Sequence, residues 1–325
     1  MNKNLKVGVI GCGYWGINLV RNFYNLGVLG VVSDLNKEAE KKVKKISKTI
    51  KFKLNYRELM KDNSLKAIVI ATPAKSHFNL VEMALNHNKH VFVEKPLCLN
   101  LKEGKKLKNL SIKKNLKLMV GHLMLYHPGF IKMKKVIAEG LIGDIRYIYS
   151  NRLNLGKLRK DEDVLWSFAP HDISMILNLV ESKITKIDAF GGSYVKKNIK
   201  DTSLTSLTFQ NNIKAHIFVS WLHPYKDQRL VVVGAKGMIV FADVLEKNNK
   251  LLFYNHKVTW RDSFPIVTKA KGKKILFNFK KEPLKIECKS FVNWILKNEK
   301  PVSDVDEGIK VLEVLNKAKF KLAKC

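Results

Sequence analysis

Lys95 stands between Glu94 and Pro96, directly after the apolar run 90–93, and Thr72, Pro73 and His77 follow a second apolar run, 67–71. A residue before proline is held extended, so the Lys95 ammonium is displayed at the end of a strand. There it can donate hydrogen bonds, or share a proton once burial or a neighbouring cation lowers its pKa. The plainer reading is a solvated lysine in a lysine-rich chain. The buried strand before it and the brace of Glu94 and Pro96 favour the active-site reading. Earlier in the chain lies Val7-Gly8-Val9-Ile10-Gly11-Cys12-Gly13-Tyr14-Trp15-Gly16. Gly11 permits a tight turn, Gly13 lets backbone N–H groups approach a pyrophosphate, and Gly16 lets helix and strand pack closely. Tyr14 and Trp15 lie within the turn, where Trp15 either covers the pyrophosphate or packs within the protein. A helical pattern follows, then an apolar run, 28–32, that leads into Ser33 and Asp34. Asp34 is placed to accept hydrogen bonds from an adenosine ribose and to repel a 2′-phosphate, so the expected cofactor is NAD.

The elements that position these groups are legible from hydrophobic period. Strand-like runs at 5–10, 28–32, 51–54, 67–71, 90–93 and 116–120 alternate with helical patterns, which predicts a parallel sheet covered on both faces. After His127-Pro128 the pattern changes. A helix over 130–139 leads into a period-two strand over 144–152. A helix is predicted over 169–180, with Pro170 in its first turn. Further strands are predicted over 186–195, 204–209, 213–220 and 228–233, with Gln210-Asn211-Asn212 as a hairpin turn. Helices over 284–298 and 304–323 close the chain. The expected fold is α/β: an N-terminal doubly wound Rossmann domain, 1–121, then a C-terminal α+β domain, 122–325, with an open, mainly antiparallel sheet. The C-terminal helices are free to pack back on the first domain.

At 325 residues and 46% hydrophobic content the chain suits two ordinary globular domains. No run reaches the roughly 20 apolar residues of a membrane span, and residues 1–4 carry no secretory pattern, so a cytoplasmic enzyme is expected. Cys12, Cys98, Cys288 and Cys325 show neither disulfide nor metal spacing. No metal site is expected. The formal net charge of +32 raises nucleic-acid or anionic-membrane binding. The cations are mostly lysines scattered along the chain, without interleaved stacking aromatics or arginine forks for base edges. A general lysine bias therefore explains them better, while a positive field would still draw in a polyanionic small substrate.

The glycine turn Gly11–Gly16, Ala71-Thr72-Pro73 with His77, and Glu94-Lys95-Pro96 together resemble the glucose–fructose oxidoreductase/inositol dehydrogenase (Gfo/Idh/MocA) family over essentially the whole chain. That resemblance implies a Rossmann domain followed by an open-sheet domain whose free face makes a homodimer or homotetramer. It implies that Lys95 contacts both nicotinamide and substrate, and that His171 of the second domain is the acid/base histidine. Many members carry an aspartate four residues before that histidine. Here the position is Ser167, and Asp172 points elsewhere on the helix. The strings 121–128, 149–156 and 166–174 are similar to those of one subgroup, the UDP-N-acetylglucosaminuronate 3-dehydrogenases of surface-polysaccharide pathways. Other nucleotide sugars, aldoses or inositols remain alternative substrates, and an NAD-binding regulator or nucleic-acid binder is an alternative of another class.

Oxidising a ring hydroxyl requires loss of the O–H proton as hydride leaves the same carbon. Neutral imidazole is a natural base near neutrality. The residue types leave open whether Lys95 or His171 is the formal base; we assign His171 as base and Lys95 as the group that polarises the 3-hydroxyl. Arg152 and Arg159 suit the diphosphate and carboxylate of a UDP-sugar uronate, and Asn151 and Asn154 suit its N-acetyl group or uracil. Each also has an ordinary reading as a surface pair. His122, after a strand end, is expected to support the cofactor cleft. His87, His90, His216 and His256 are expected to bind no ligand.

Overall fold

A computed structural model describes residues 5–156, 158–159 and 162–323; residues 1–4 and Cys325, both considered above, lie outside the described residues. The chain divides into two compact units, residues 1–123 with 282–313, and 124–281 with the chain end from 314.

In the first unit, β1 (Val7–Ile10), α1 (Gly16–Asn25), β2 (Leu29–Ser33), α2 (Glu38–Ile46), β3 (Lys51–Lys53), α3 (Tyr56–Lys61), β4 (Ala67–Ile70), α4 (His77–Asn86), β5 (His90–Glu94), α5 (Leu101–Lys113) and β6 (Leu118–Gly121) follow in order. The strands form one parallel sheet in the order β3-β2-β1-β4-β5-β6. The strand order reverses between β1 and β4, which makes the crevice at the carboxyl ends of those strands the ligand site of such a sheet. The central strands β1 and β4 are apolar at every position because both faces are covered, and all four residues of each are buried, as are those of β6 at the sheet edge. Phe23 of α1, Phe92 of β5 and Phe291 of the helix Pro283–Lys297 meet edge to face, with ring centroids 5.7–6.4 Å apart.

In the second unit, α6 (Pro128–Ala138), β7 (Ile145–Leu153), α7 (Val164–Leu179), β8 (Ile184–Gly192), β9 (Thr202–Phe209), β10 (Lys214–Ser220), β11 (Asp227–Gly234), β12 (Met238–Ala242) and β13 (Leu251–Tyr254) precede a separate hairpin, β14 (Lys257–Arg261) with β15 (Phe264–Thr268), and the short β16 (Lys273–Lys274). The main sheet runs β16-β13-β12-β11-β7-β10-β9-β8. It is antiparallel except between β7 and β10. α7 packs across β7, β9 and β10. On the opposite face of the sheet Tyr149 stacks on His216, 5.5 Å between centroids and 8° from parallel.

Three expectations need correction here. The helix predicted from 169 begins at Val164, because Asp163 caps it by accepting the Trp166 N–H at 3.1 Å. Pro170 therefore lies inside the helix and has no N–H to offer Trp166. Strands β12 and β13, and the hairpin beyond them, were also unforeseen. The predicted turn after β9 is present, with Asn212 at φ 62°.

Candidate active site

The glycine turn is built by two distinct steric demands. Gly11 adopts φ 90°, and a Cβ on it would lie 2.7 Å from the Ala71 carbonyl oxygen; one on Gly16 would lie 2.2 Å from that of Gly11. The fold itself requires those two glycines. A Cβ on Gly13 would meet nothing within 4 Å, so what Gly13 leaves room for is not part of this chain. No side chain caps the N-terminus of α1, and an uncapped helix start beside a glycine turn is an arrangement that receives a phosphate. Asp34, just past β2, accepts the Cys12 N–H at 2.8 Å and the Asn36 N–H at 2.9 Å. The same carboxylate faces a cleft of about 510 Å³ whose lining includes Gly13, Leu35, Tyr56, Thr72 and Asn79. Glycine turn, uncapped helix and terminal acid together fit a dinucleotide. Tyr56 and Asn79 are lining residues that spacing alone did not reveal.

The loops after β4 and β5 are joined by one side chain. His77 is 1% exposed; its Nδ1 lies 2.7 Å from the Pro96 carbonyl and its Nε2 2.8 Å from that of Thr72. Burial pushes its pKa down, against the two carbonyl contacts that pull it up; the ring's place between the two carbonyls makes it a bridge between the loops. Thr72 Oγ1 is 2.7 Å from Ser76 Oγ, and Pro73 is exposed at the cleft. Lys95 is half-buried, and the peptide it forms with Pro96 is cis.

Glu94 is buried and accepts the Trp15 indole N–H at 2.6 Å, so Trp15 is tied to the Lys95 loop, whereas Tyr14 is 94% exposed. A Cβ at Gly121 would lie 3.1 Å from the Glu94 carboxyl; the bare backbone of β6 makes room for it. His122 is also buried, and its Nδ1 is bonded to the Glu307 carboxylate. Its role is to hold that acid inside the unit. Glu287 is fully buried near both acids. Neither Glu287 nor Glu307 is distinguishable in sequence from ordinary helix-face acids.

In the second unit, α7 carries Ser167, His171 and Asp172. Ser167 is buried and His171 half-buried. Asp172 points into the unit, where it receives Arg152 Nε at 2.6 Å and Nη2 at 3.2 Å, and the Ser150 hydroxyl. Arg152 is 6% exposed, so its fork is engaged by α7 instead of standing open at a strand end. Asn151 donates to Asp227 at 3.2 Å. Arg159 is exposed and pairs with Glu162 at 2.8 Å. Asn154 is half-buried, with its amide near Gly156. Among the described residues no group of His, Cys, Asp and Glu is arranged to hold a metal. His90 has a structural role, accepting the Lys117 N–H at 3.0 Å.

Comparison with known proteins agrees with this geometry. Residues 5–122 match the oxidoreductase family NAD-binding Rossmann domain, and residues 130–240 match the GFO/IDH/MocA C-terminal domain. The myo-inositol 2-dehydrogenase of Thermotoga maritima is 26% identical over 76% of this chain and 78% of its own. Among solved structures, UDP-N-acetylglucosamine 3-dehydrogenase GnnA from Acidithiobacillus ferrooxidans superposes with a TM-score of 0.84 at 23% identity, covering 98% of both chains. GenD2 from gentamicin A biosynthesis, in complex with NAD, gives 0.83 at 16% identity over 98% of this chain and 94% of its own. At these identities the two structures speak for the fold.

Proposed function

The chain belongs to the Gfo/Idh/MocA oxidoreductase family and is an NAD-binding dehydrogenase of the class that acts on CH–OH groups; from that premise we propose that it oxidises the C3 hydroxyl of UDP-N-acetylglucosaminuronate to the 3-keto sugar, with Lys95 and His171 as the catalytic pair. The reading rests on how each catalytic group is anchored within its own unit. Lys95 follows Glu94, whose carboxyl is fixed by Trp15. His171 precedes Asp172, whose ion pair with Arg152 fixes the helix against β7. Paired anchors of this kind suit a reaction whose donor and acceptor groups must be held to within a fraction of an ångström.

When bound, NAD supplies a hydride acceptor at C4 of its nicotinamide. The chain's part is to move the hydroxyl proton: His171 takes it, while Lys95 donates a hydrogen bond to the same oxygen and stabilises the charge that develops there. Asp34 selects the unphosphorylated ribose. Arg152 becomes a positioning residue, acting through Asp172. The contact with the substrate's phosphates or carboxylate passes to Arg159, whose exposed pair with Glu162 costs little to exchange. Asn151 and Asn154 keep their proposed places at the N-acetyl group or uracil.

The likeness to GnnA, a UDP-N-acetylglucosamine 3-dehydrogenase, supports this substrate class. The inositol dehydrogenase relatives favour a free polyol instead. A 3-keto product would suit a following transamination. No helix among the described residues is long and apolar enough to cross a membrane; we place the enzyme in the cytoplasm, as a homodimer or homotetramer through the open face of its sheet. Calorimetry on the NAD-loaded protein separates the substrates. UDP-N-acetylglucosaminuronate is expected to bind at micromolar concentration, and UDP to compete with it. Binding of myo-inositol with no response to either uridine compound would overturn the proposal.

A further inference from the structure

Behind Lys95 the first unit buries more acid than it neutralises. Glu287, on the helix Pro283–Lys297, is 0% exposed, and neither of its carboxyl oxygens has a hydrogen-bond partner. Glu94 and Glu307 lie within its electrostatic reach and are themselves 9% and 8% exposed. One Glu307 oxygen is bonded to His122, and the other has no partner. The charged and titratable groups that face this cluster are Glu94 at the end of β5, Lys95 just after it, His122 after β6, Glu307, and Cys288 and Glu282 from the chain around Glu287. Of these groups, Lys95 and His122 are the ones that can carry positive charge.

An ionised carboxylate buried without a partner is far costlier than its neutral form. A third negative charge beside two others raises that cost further. Burial raises the Glu94 pKa as well, but the Trp15 N–H and the Lys95 charge are there to stabilise its ionised form. Glu307 has the His122 ring. Glu287 has neither, so it is the member that keeps its proton.

This inference rests on the reading of the glycine turn as the NAD site. We propose that Glu287 is the proton-carrying acid of this cluster, and that losing its proton drives Glu94 from Trp15, loosens the glycine turn and weakens NAD binding. Glu287 thereby acts through Glu94 and Trp15 as a positioning residue. Its charge state is linked to cofactor affinity, so NAD binding should fall with rising pH.

The test is NAD affinity by calorimetry between pH 7 and pH 10, on the full chain and on Glu287→Gln, with Glu287→Met as a second neutral variant. One linked proton sets a limit of about tenfold loss per pH unit. Wild type is expected to approach that slope in the alkaline range, whereas the neutral variants lack this component and match wild type at pH 7. Thermal melting without NAD gives an independent readout. An acid whose pKa is raised on folding stabilises fully below its unfolded value and loses that contribution as pH rises through the folded one. Wild type should therefore lose melting temperature on the alkaline side by an amount the variants do not. Parallel affinity curves for wild type and Glu287→Gln, or an affinity already down about tenfold at pH 7 in both neutral variants, would overturn the proposal. Failure of every form to bind NAD at any pH would instead strike at the cofactor site itself.

Discussion

The Asp172 carboxylate receives two N–H groups of Arg152, at 2.6 and 3.2 Å, and both side chains are almost wholly out of solvent. A buried pair of this kind costs little while intact and much when half of it is removed. Asp172→Asn leaves a buried guanidinium without its counter-charge, and should destabilise the protein by about 3–5 kcal/mol. Chemical denaturation measures that loss. Arg152→Lys should also destabilise the protein, because an ammonium cannot reproduce the fork on the Asp172 carboxylate.

The two kinds of glycine in the turn predict two kinds of failure. Gly11→Ala forces a side chain onto positive φ and against the Ala71 carbonyl, so the protein itself should be destabilised, by more than about 1 kcal/mol. Gly13→Ala meets nothing within the chain. Its melting temperature without NAD should match wild type, while NAD affinity drops by about tenfold or more, the cost of one misplaced contact of about 1.4 kcal/mol. Equal losses of stability in the two variants would contradict the steric argument.

Asp34 is expected to govern the choice of dinucleotide. Asp34→Ala removes an acceptor from the ribose and the charge that repels a 2′-phosphate. The loss for NAD should be about 1.5–3 kcal/mol, the scale of a hydrogen bond to a charged group, with the ratio of NADP to NAD affinity rising. Binding titrations with both dinucleotides decide it, and an unchanged ratio would count against the assignment.

His90 makes stability depend on pH on the acid side. Burial, and then the Lys117 charge, lower its pKa from 6.5 to about 4, and its Nδ1 must stay unprotonated to accept the Lys117 N–H. The unfolded chain thus binds this proton more readily than the folded one. Stability from this site is present above pH 6.5 and is lost as pH falls towards about 4. Melting curves for wild type and His90→Gln should diverge at neutrality and draw together as the pH approaches 4.

The sequence was most informative where both faces of an element are covered. β1, β4 and β6 are buried at every position, so each reads as an uninterrupted apolar run, and the observed limits differ from the expected ones by only one or two residues. The Gly11–Asp34 turn was legible for a similar reason: backbone sterics leave few residue types free. α7 was read short because Pro170 resembles a helix start, when the true start is the Asp163 cap six residues before Ala169. The acid cluster left no local trace. Glu94, Glu287 and Glu307 are far apart in sequence, and on a lysine-rich helix a buried glutamate looks like a solvated one. Arg152 stood out correctly as unusual, but its partner lies twenty residues on, in a helix whose register the sequence left open.

The central claim is that residues 95 and 171 act on one sugar hydroxyl, and single-turnover mixing tests it most directly because it does not depend on release of the reduced cofactor. NAD-loaded protein mixed with UDP-N-acetylglucosaminuronate should show reduced nicotinamide absorbance. The rate should fall by about 10²–10⁴-fold in His171→Asn, the usual contribution of a general base, with the substrate concentration for half-maximal rate little changed. An undiminished rate in His171→Asn, or reduction by free inositol and by no UDP-sugar, would contradict the account.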